Sequence, residues 1–264
     1  ILKSDRMIIK KDTNQEYHSK DSISASGLKE IWLTSVYDFN RKVYEDKPAY
    51  RLGTMIHEMI LEPDEFKENY HLLNEKIDRR TKAGKEKFLE LSQMKKHLVT
   101  FEEVQILEGI KKSLAADNDM AKLARKYLEG ESELSHYFNY KGVNARVRPD
   151  LKGDGFISDI KTAQFNNGRF GKKEFRSQIY AFAYHLQATF YADMLDIHPR
   201  EFKFIWIEKK DPFRIVVTTL NDQQIEEGRA GYLKALNDWK AYQDLGIEKR
   251  FDNEDILIDG SLET

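Results

Sequence analysis

The sequence predicts an α+β fold in which helices flank a central mixed β-sheet. Runs of apolar, β-branched and aromatic residues bounded by turn residues predict strands at 133–140, 145–150, 156–161, 202–207 and 214–220. Apolar residues at helical spacing predict helices elsewhere, as with Val104, Leu107, Ile110 and Leu114. Because no linker rich in Pro, Gly or Ser separates these elements, the sequence predicts a single domain.

The predicted helices have identifiable breaks and ends. We expect helices at 24–44, 52–62, 101–128, 174–195 and from residue 221 to about residue 245. The first is interrupted near Ser35, and the third is broken at Asp117-Asn118. The fourth ends before Pro199, and Asn221 is a typical N-cap for the last. The two final strands are joined at a turn formed by residues 211–212.

Composition limits the class of protein. The chain has 264 residues, enough to bury a sizeable core, and its 40% hydrophobic and 33% charged residues are typical of a soluble globular protein. It has no apolar run of membrane-spanning length and no signal peptide, so we expect a cytoplasmic protein. Zero cysteines exclude disulfides and cysteine-ligated metal centres. A start at Ile1 is compatible with a fragment of a longer protein.

A predicted hairpin contains the residues that point most clearly to chemistry. Its turn is at residues 153–155, with Asp150 on one strand and Asp159 and Lys161 on the other. Side chains alternate along a strand, so Asp159 and Lys161 share a face on which Asp150 can converge. Carboxylate oxygens suit Mg²⁺ or Mn²⁺, and a lysine beside the metal can orient an attacking water.

A structural interpretation of the same hairpin stays open. Charged residues of an exposed hairpin are usually solvated, but Phe156, Ile157 and Ile160 make the second strand apolar enough to be buried. A buried aspartate or lysine needs a partner, and an ion pair inside the sheet would meet that need as well as a metal would. The hairpin alone therefore does not separate a catalytic centre from a structural ion pair.

Four signatures occur in order along residues 22–195, with supporting segments at 23–29 and 78–85. They are Gly53 with His57, Pro149-Asp150, Asp159-Ile160-Lys161 followed by Thr162-Ala163, and Gln187 with Tyr191. With these residues the chain resembles the PD-(D/E)xK nuclease superfamily, and within it the exonuclease VIII (RecE)-like branch near the RecB nuclease domains, functionally akin to lambda exonuclease. The resemblance implies a restriction-endonuclease-like core.

The resemblance also implies roles for individual residues. His57, Asp150, Asp159 and the backbone carbonyl of Ile160 would hold the metal. Lys161 would orient the water, Gln187 would steady it, and Tyr191 would contact phosphate. Without the resemblance, His57 on an apolar helix would be read as a core histidine, and Gln187 and Tyr191 as a helix surface that touches the sheet.

Glu133 is a further candidate, because Glu133-Leu134-Ser135 fits a Glu-x-Ser pattern of RecE-like sequences. The alternative is a solvated glutamate on an edge strand.

Local charge indicates where DNA could bind. The formal net charge is −2, but residues 76–96 have eight Lys and Arg against three acids, and residues 169–176 have four against one. Either run is equally compatible with a solvated face. The candidate contacts with phosphate are Arg79, Arg80, Lys82, Lys85, Arg169, Lys172 and Lys173. The acidic tail at 252–264 would stay away from DNA.

The functional expectation is a Mg²⁺-dependent exonuclease that degrades linear double-stranded DNA from 5′ to 3′ and leaves 3′ tails for recombination. Mn²⁺ would substitute for Mg²⁺. The resemblance implies a homo-oligomeric ring around DNA, a RecT-like single-strand annealing protein as a possible partner, and no role for ATP or a membrane. The alternatives are a site-specific or structure-specific endonuclease of the same fold, and a non-catalytic DNA-binding or scaffold protein.

Within one domain at 1–264, we expect a helical N-terminal part at about 22–128 and a catalytic core at about 129–220. A C-terminal helix and the acidic tail would occupy 221–264.

Overall fold

The structure is a computed structural model that describes residues 5–43, 48–94, 96–165 and 168–250. The helices are α1 Asn14–His18, α2 Ala25–Leu33, α3 Val36–Phe39, α4 Pro48–Leu61, α5 Pro63–Asn69, α6 Lys82–Ser92, α7 Phe101–Ala115, α8 Asp119–Lys126, α9 Lys172–Ala181, α10 Tyr184–Met194 and α11 Asp222–Leu245, with a 3-10 turn at Pro199–Glu201. The strands are β1 Asp5–Lys10, β2 Ile23–Ser24, β3 Tyr70–Leu72, β4 His97–Val99, β5 Glu131–Ser132, β6 Ser135–Tyr140, β7 Val143–Val147, β8 Leu151–Gly153, β9 Phe156–Ala163, β10 Phe202–Glu208 and β11 Ile215–Thr218.

The strands form two mixed sheets and one small pair. The five-stranded sheet has the order β11-β10-β9-β8-β5, in which only β9 and β10 are parallel neighbours. The four-stranded sheet has the order β1-β6-β7-β2, with β2 parallel to β7. Strands β3 and β4 pair separately. The α+β class is confirmed, but the strands expected in one central sheet are divided between two.

The five-stranded sheet is buried on both faces. Phe204 and Trp206 of β10 belong to a core shared with α2, α10 and α11, whereas Ile205 and Ile207 belong to a core shared with α4 and α7. This alternation is what a strand between two helical layers requires. The sheet therefore lies between helices, and five of the eight residues of β9 are buried. No helix in the described ranges is long and apolar enough to cross a membrane.

Two predicted strands are wrong in their bounds, and both errors lie beside the candidate site. The strand predicted at 145–150 is divided, because β7 ends at Val147 and β8 begins at Leu151 in the other sheet. Pro149 has no N–H to donate to a ladder, so the chain leaves one sheet there and enters the other. The strand predicted from 133 begins only at Ser135, because Glu133 has a φ of 54°.

The helix predictions were confirmed at two breaks and at the start of the last helix, and a further break was missed. Ser35 separates α2 from α3, Asn118 caps α8, and Asn221 caps α11. The helix predicted at 174–195 is instead two helices, because Ala183 has a φ of 48° and caps α10 in the left-handed conformation. The first helix was predicted to reach residue 44, but α3 ends at Phe39 and residues 40–43 are not helical. The acidic tail at 252–264 lies outside the described residues.

Candidate active site

Strand β9 places Asp159 and Lys161 next to each other on the face that α10 covers. Lys161 Nζ lies 2.6 Å from Asp159 Oδ2, and the two side chains are 15% and 3% exposed. Burial would lower the pKa of Lys161, but the negative charge of Asp159, with smaller contributions from Tyr184 and Asp150, outweighs burial and raises this pKa above its ordinary value. The ammonium form of Lys161 is therefore the stable one at neutral pH.

Asp150 lies immediately before β8, where the hairpin register brings it beside β9. Its Oδ2 accepts a 2.7 Å hydrogen bond from the backbone N–H of Ile160 and lies 3.4 Å from His57 Nδ1. Burial, followed by the charge of Asp159, raises the pKa of Asp150, while His57 and Lys161 oppose the shift. The two carboxylates are therefore close enough to repel each other.

Helix α4 approaches the sheet closely enough to bring His57 to Asp150. Gly53, one turn earlier, faces Thr162 of β9, and a Cβ at Gly53 would lie 3.3 Å from Thr162 Oγ1. The absence of a side chain at Gly53 thus favours the short distance between α4 and β9. The neighbouring atom belongs to a side chain, which can move aside more easily than a backbone atom. His57 remains 30% exposed at the rim of the site.

Helix α10 contributes the last signature from the side opposite α4. Gln187 Nε2 donates a 2.7 Å hydrogen bond to Asp159 Oδ1. Tyr191, one turn later, is buried, and its hydroxyl donates to the backbone carbonyl of Arg148 at 3.2 Å. In this arrangement Gln187 holds the Asp159 carboxylate, and Tyr191 holds the segment that precedes Asp150.

The site also contains residues that sequence reasoning did not single out. Lys29 of α2 donates to Gln187 Oε1 at 2.9 Å, and burial, then the charge of Lys161, lowers the pKa of Lys29 to about 7. Lys29 and Lys161 lie over the same ring, that of Tyr184, with Nζ to centroid distances of 5.0 and 4.2 Å. The segment at 23–29 that resembles RecE-like sequences was the signal that could have identified Lys29.

Glu133 is not a solvated edge residue. Its Oε2 lies 2.9 Å from Arg148 Nε, and the side chain is 23% exposed. Burial, followed by the charge of Asp150, raises the pKa of Glu133 to about 8, against the opposing effect of Arg148. Arg148 also lies over the ring of Tyr17 at 4.3 Å. Glu133 therefore belongs to the wall of the site, and a role in metal binding stays a prediction.

The donor chemistry fits a divalent cation. Asp150, Asp159 and the carbonyl of Ile160 offer the oxygens that Mg²⁺ and Mn²⁺ prefer, and His57 offers a nitrogen. A cation would relieve the repulsion that contributes to the raised pKa of Asp150. As they stand, no three His, Asp or Glu side chains of the described ranges form a group arranged to hold a metal. Asp159 is turned instead toward Lys161 and Gln187.

The basic candidates lie on exposed parts of the surface. Arg79 lies over the ring of Phe88 at 4.7 Å, and Arg80 pairs with Asp78 at 2.9 Å in the loop before α6. The remaining exposed candidates are Lys82 and Lys85 in α6, Arg169 before α9, and Lys172 and Lys173 in the first turn of α9. Their contact with DNA stays a prediction.

Taken together, a mixed sheet between helices and a Pro-Asp and Asp-x-Lys hairpin define a PDDEXK-like nuclease domain. The chain belongs to the family described as a PDDEXK-like domain of unknown function, DUF3799, whose model matches residues 28–247. PDDEXK nucleases in general use divalent metal ions. No curated protein matches the chain.

A solved structure has the same fold. The chain is similar to the crystal structure of a "putative exonuclease" from Eubacterium rectale, with a TM-score of 0.60 and 16% sequence identity. The similarity covers 96% of this chain and 94% of that one. At this identity the likeness supports the fold, and the activity has to be argued from the residues of the site.

Proposed function

We propose that the protein is a Mg²⁺-dependent exonuclease that degrades linear double-stranded DNA from the 5′ end and leaves 3′ single-stranded tails. The observation on which the proposal rests is the convergence of Asp150, Asp159 and Lys161, with two carboxylates and an ammonium in one small volume. A structural ion pair would need only one of the two carboxylates. The second one leaves a repulsion that a divalent cation would relieve.

His57, Asp150, Asp159 and the carbonyl of Ile160 would hold the metal. A bound divalent ion supplies Lewis-acid stabilisation of the charge that builds on the scissile phosphate. Because the pKa of Lys161 is raised, Lys161 keeps its proton at Nζ and acts as a hydrogen-bond donor that orients the attacking water. The same positive charge stabilises the phosphate as it becomes more negative.

Helix α10 would preserve this geometry during the reaction. Gln187 fixes the direction of the Asp159 carboxylate, and Tyr191 fixes the backbone at Arg148, two residues before Asp150. The predicted contact between Tyr191 and phosphate would require its hydroxyl to leave the Arg148 carbonyl. We therefore propose a positioning role for Tyr191 in addition to that contact.

Polarity, product and assembly come from the resemblance to RecE-like nucleases, and the Eubacterium rectale protein, described as a "putative exonuclease", supports an exonuclease over an endonuclease. The exposed basic residues of 76–96 and 169–176 are proposed to contact the DNA backbone. The proposal further includes a single domain, a homo-oligomeric ring around DNA, and cooperation with a RecT-like annealing protein.

One assay separates the proposed function from its alternatives. Linear duplex labelled at the 5′ or the 3′ end, and a covalently closed circle, are incubated with Mg²⁺, with the Asp159→Asn variant as the control for contaminating nucleases. We expect early release of the 5′ label, late release of the 3′ label and an intact circle. Cutting of the circle would identify an endonuclease. No hydrolysis with either Mg²⁺ or Mn²⁺ would identify a non-catalytic binding protein.

A further inference from the structure

Lys29 lies at the centre of a hydrogen-bonded chain that joins the N-terminal part to the catalytic hairpin. Ser24 caps α2 by accepting from the N–H of Gly27, and Leu28 is fully buried, so the helix is fixed at both of these points. The next residue, Lys29, donates through Nζ to Gln187 Oε1 at 2.9 Å. Gln187 Nε2 in turn donates to Asp159 Oδ1 at 2.7 Å.

The polarity of this chain admits one orientation of the Gln187 amide. An ammonium only donates hydrogen bonds and a carboxylate only accepts them, whereas a glutamine amide has one accepting end and one donating end. Reversing the amide would place Oε1 against the Asp159 carboxylate, and that contact would become repulsive whatever the protonation state of Lys29, whose amino group can donate to Oε1 in the observed orientation in either form. Lys29 and Asp159 therefore hold the amide between them in a single orientation.

We infer that Lys29 is a positioning residue that fixes the Gln187 amide, and through it the carboxylate of Asp159. Asp159 Oδ1 accepts the hydrogen bond from Gln187, whereas Oδ2 is in ion-pair contact with Lys161 but has no hydrogen-bond partner. Gln187 is therefore the group that sets the direction of the carboxylate. Removing Lys29 frees one end of the amide, and the carboxylate loses a fixed partner. Residues behind a metal ligand commonly act in this way, by orienting the ligand.

The ring of Tyr184 supports the same role for Lys29. The ammonium groups of Lys29 and Lys161 lie 5.0 and 4.2 Å from its centroid, where the negative face of the ring attracts cations. Tyr184 is the first residue of α10, one turn before Gln187. Helix α10 thus contacts Lys29 and Lys161 through Tyr184, and Asp159 through Gln187. These contacts would couple the position of α2 to the geometry of the hairpin.

The inference rests on the proposed nuclease function, and its test has one readout of catalysis and one of geometry. Lys29→Met removes the donor and keeps an apolar stem, and Lys112→Met on the exposed face of α7 is the matched control. We expect Lys29→Met to lower kcat roughly tenfold with an unchanged KM for DNA, and Lys112→Met to leave both unchanged. Lys29→Met with Gln187→Leu should be no slower than Gln187→Leu alone, because both changes break one chain.

The geometric readout uses the side-chain amide of Gln187. In ¹⁵N-labelled protein without metal, its two amide protons are assigned from the Gln187→Leu spectrum, and we expect them to shift in Lys29→Met but not in Lys112→Met. Should Lys29→Met fail to fold, Lys29→Leu, which also lacks a donor, replaces it, with the same expectations.

Several outcomes would overturn the inference: an unchanged kcat, a change in KM alone, losses that add in the double variant, or an unmoved Gln187 amide. Inactive wild-type protein would contradict the proposed function instead, and the amide signal alone would then decide the role of Lys29.

Discussion

At the scale of single residues, the site depends on a buried ion pair whose two partners have different tasks. Asp159 has a hydrogen bond from Gln187 and a contact with Lys161, and its side chain is 3% exposed. Lys161 keeps its proton because the charge of Asp159 outweighs burial. A change of charge at Asp159 with little change of shape therefore tests chemistry separately from packing.

Asp159→Asn should abolish DNA hydrolysis, because it removes the charge of a proposed metal ligand and keeps the size of the side chain. Asp154→Asn, an exposed change in the turn of the same hairpin, is the control and should leave the rate unchanged. Initial rates with Mg²⁺ and melting temperatures of both variants are the measurements. A loss below about tenfold, or roughly 1.4 kcal/mol of barrier, would remove Asp159 from the centre, and a loss matched by a large fall in melting temperature would favour a structural ion pair.

His57→Ala should raise the metal concentration needed for half-maximal activity. We expect Mn²⁺ to rescue this variant better than Mg²⁺, because Mn²⁺ accepts less regular coordination. The wild-type protein should lose activity in EDTA and regain it when the metal is restored. The measurement is a titration of rate against each metal; His71→Ala, at a half-buried histidine of β3, is the control. Identical titrations of His57→Ala and the wild type would contradict a ligand role and leave His57 as a structural partner of Asp150.

At the scale of elements, the position of α10 depends on its close crossing with α11. A Cβ at Gly228 of α11 would lie 2.4 Å from the backbone oxygen of His185 in α10, which cannot move without displacing the helix. A Cβ at Gly231, one turn later, would lie 3.3 Å from Leu186 Cδ1, the end of a flexible side chain. Alanine at either position gains helix propensity, but only alanine at Gly228 meets a backbone atom. Comparing the two substitutions therefore isolates the cost of crowding.

Gly228→Ala should destabilise the protein by about 1–3 kcal/mol through overpacking, whereas Gly231→Ala should be nearly neutral. Denaturant unfolding at equal protein concentration measures both values. Gly228→Ala should also reduce DNA hydrolysis under native conditions, since α10 holds Gln187 against Asp159. Equal stability of the two variants would show that the crossing of α10 and α11 has room for a methyl group. The close contact between these helices would then not be what positions α10 at the site.

At the scale of the whole molecule, charge has to be concentrated locally for DNA to bind. The net charge is −2, so the attraction comes from basic surfaces rather than from the protein as a whole. We propose that such surfaces would give each subunit modest affinity for DNA. A closed ring would add retention, because an encircled duplex cannot leave between catalytic steps.

Arg79→Glu with Arg80→Glu should shorten the DNA tract degraded per binding event and reduce the dependence of binding on salt. Lys111→Glu with Lys112→Glu, an equal charge reversal on α7, is the control and should preserve tract length. Single-round degradation with a DNA trap, together with binding at several salt concentrations, provides the measurement. Equal tract lengths in the two double variants would move the DNA path away from the loop before α6.

Sedimentation at assay concentrations tests the ring itself. We expect a closed homo-oligomer whose size does not change between active and inactive variants. A monomer that still degrades long tracts without release would contradict the ring and leave the active-site assignment untouched.

The sequence by itself determined the features that depend on local periodicity and local backbone chemistry. Alternation along β9 put Asp159 and Lys161 on one face, and the structure has them in contact. Interruptions of the helical pattern located the breaks near Ser35 and at Asp117-Asn118, and capping chemistry located the start of α11 at Asn221. Each of these results needs only residues within a turn or a strand of each other, so no knowledge of packing was required.

Only the tertiary structure decided the rest. The strand predicted at 145–150 is divided between two sheets, and the helix predicted at 174–195 is interrupted at Ala183. Glu133 pairs with Arg148 and lines the site. Lys29 is also joined to Gln187 across 158 positions of sequence. These features depend on which elements pack together. The contacts that stabilise this packing join residues far apart in the chain, so a local sequence pattern does not predict them.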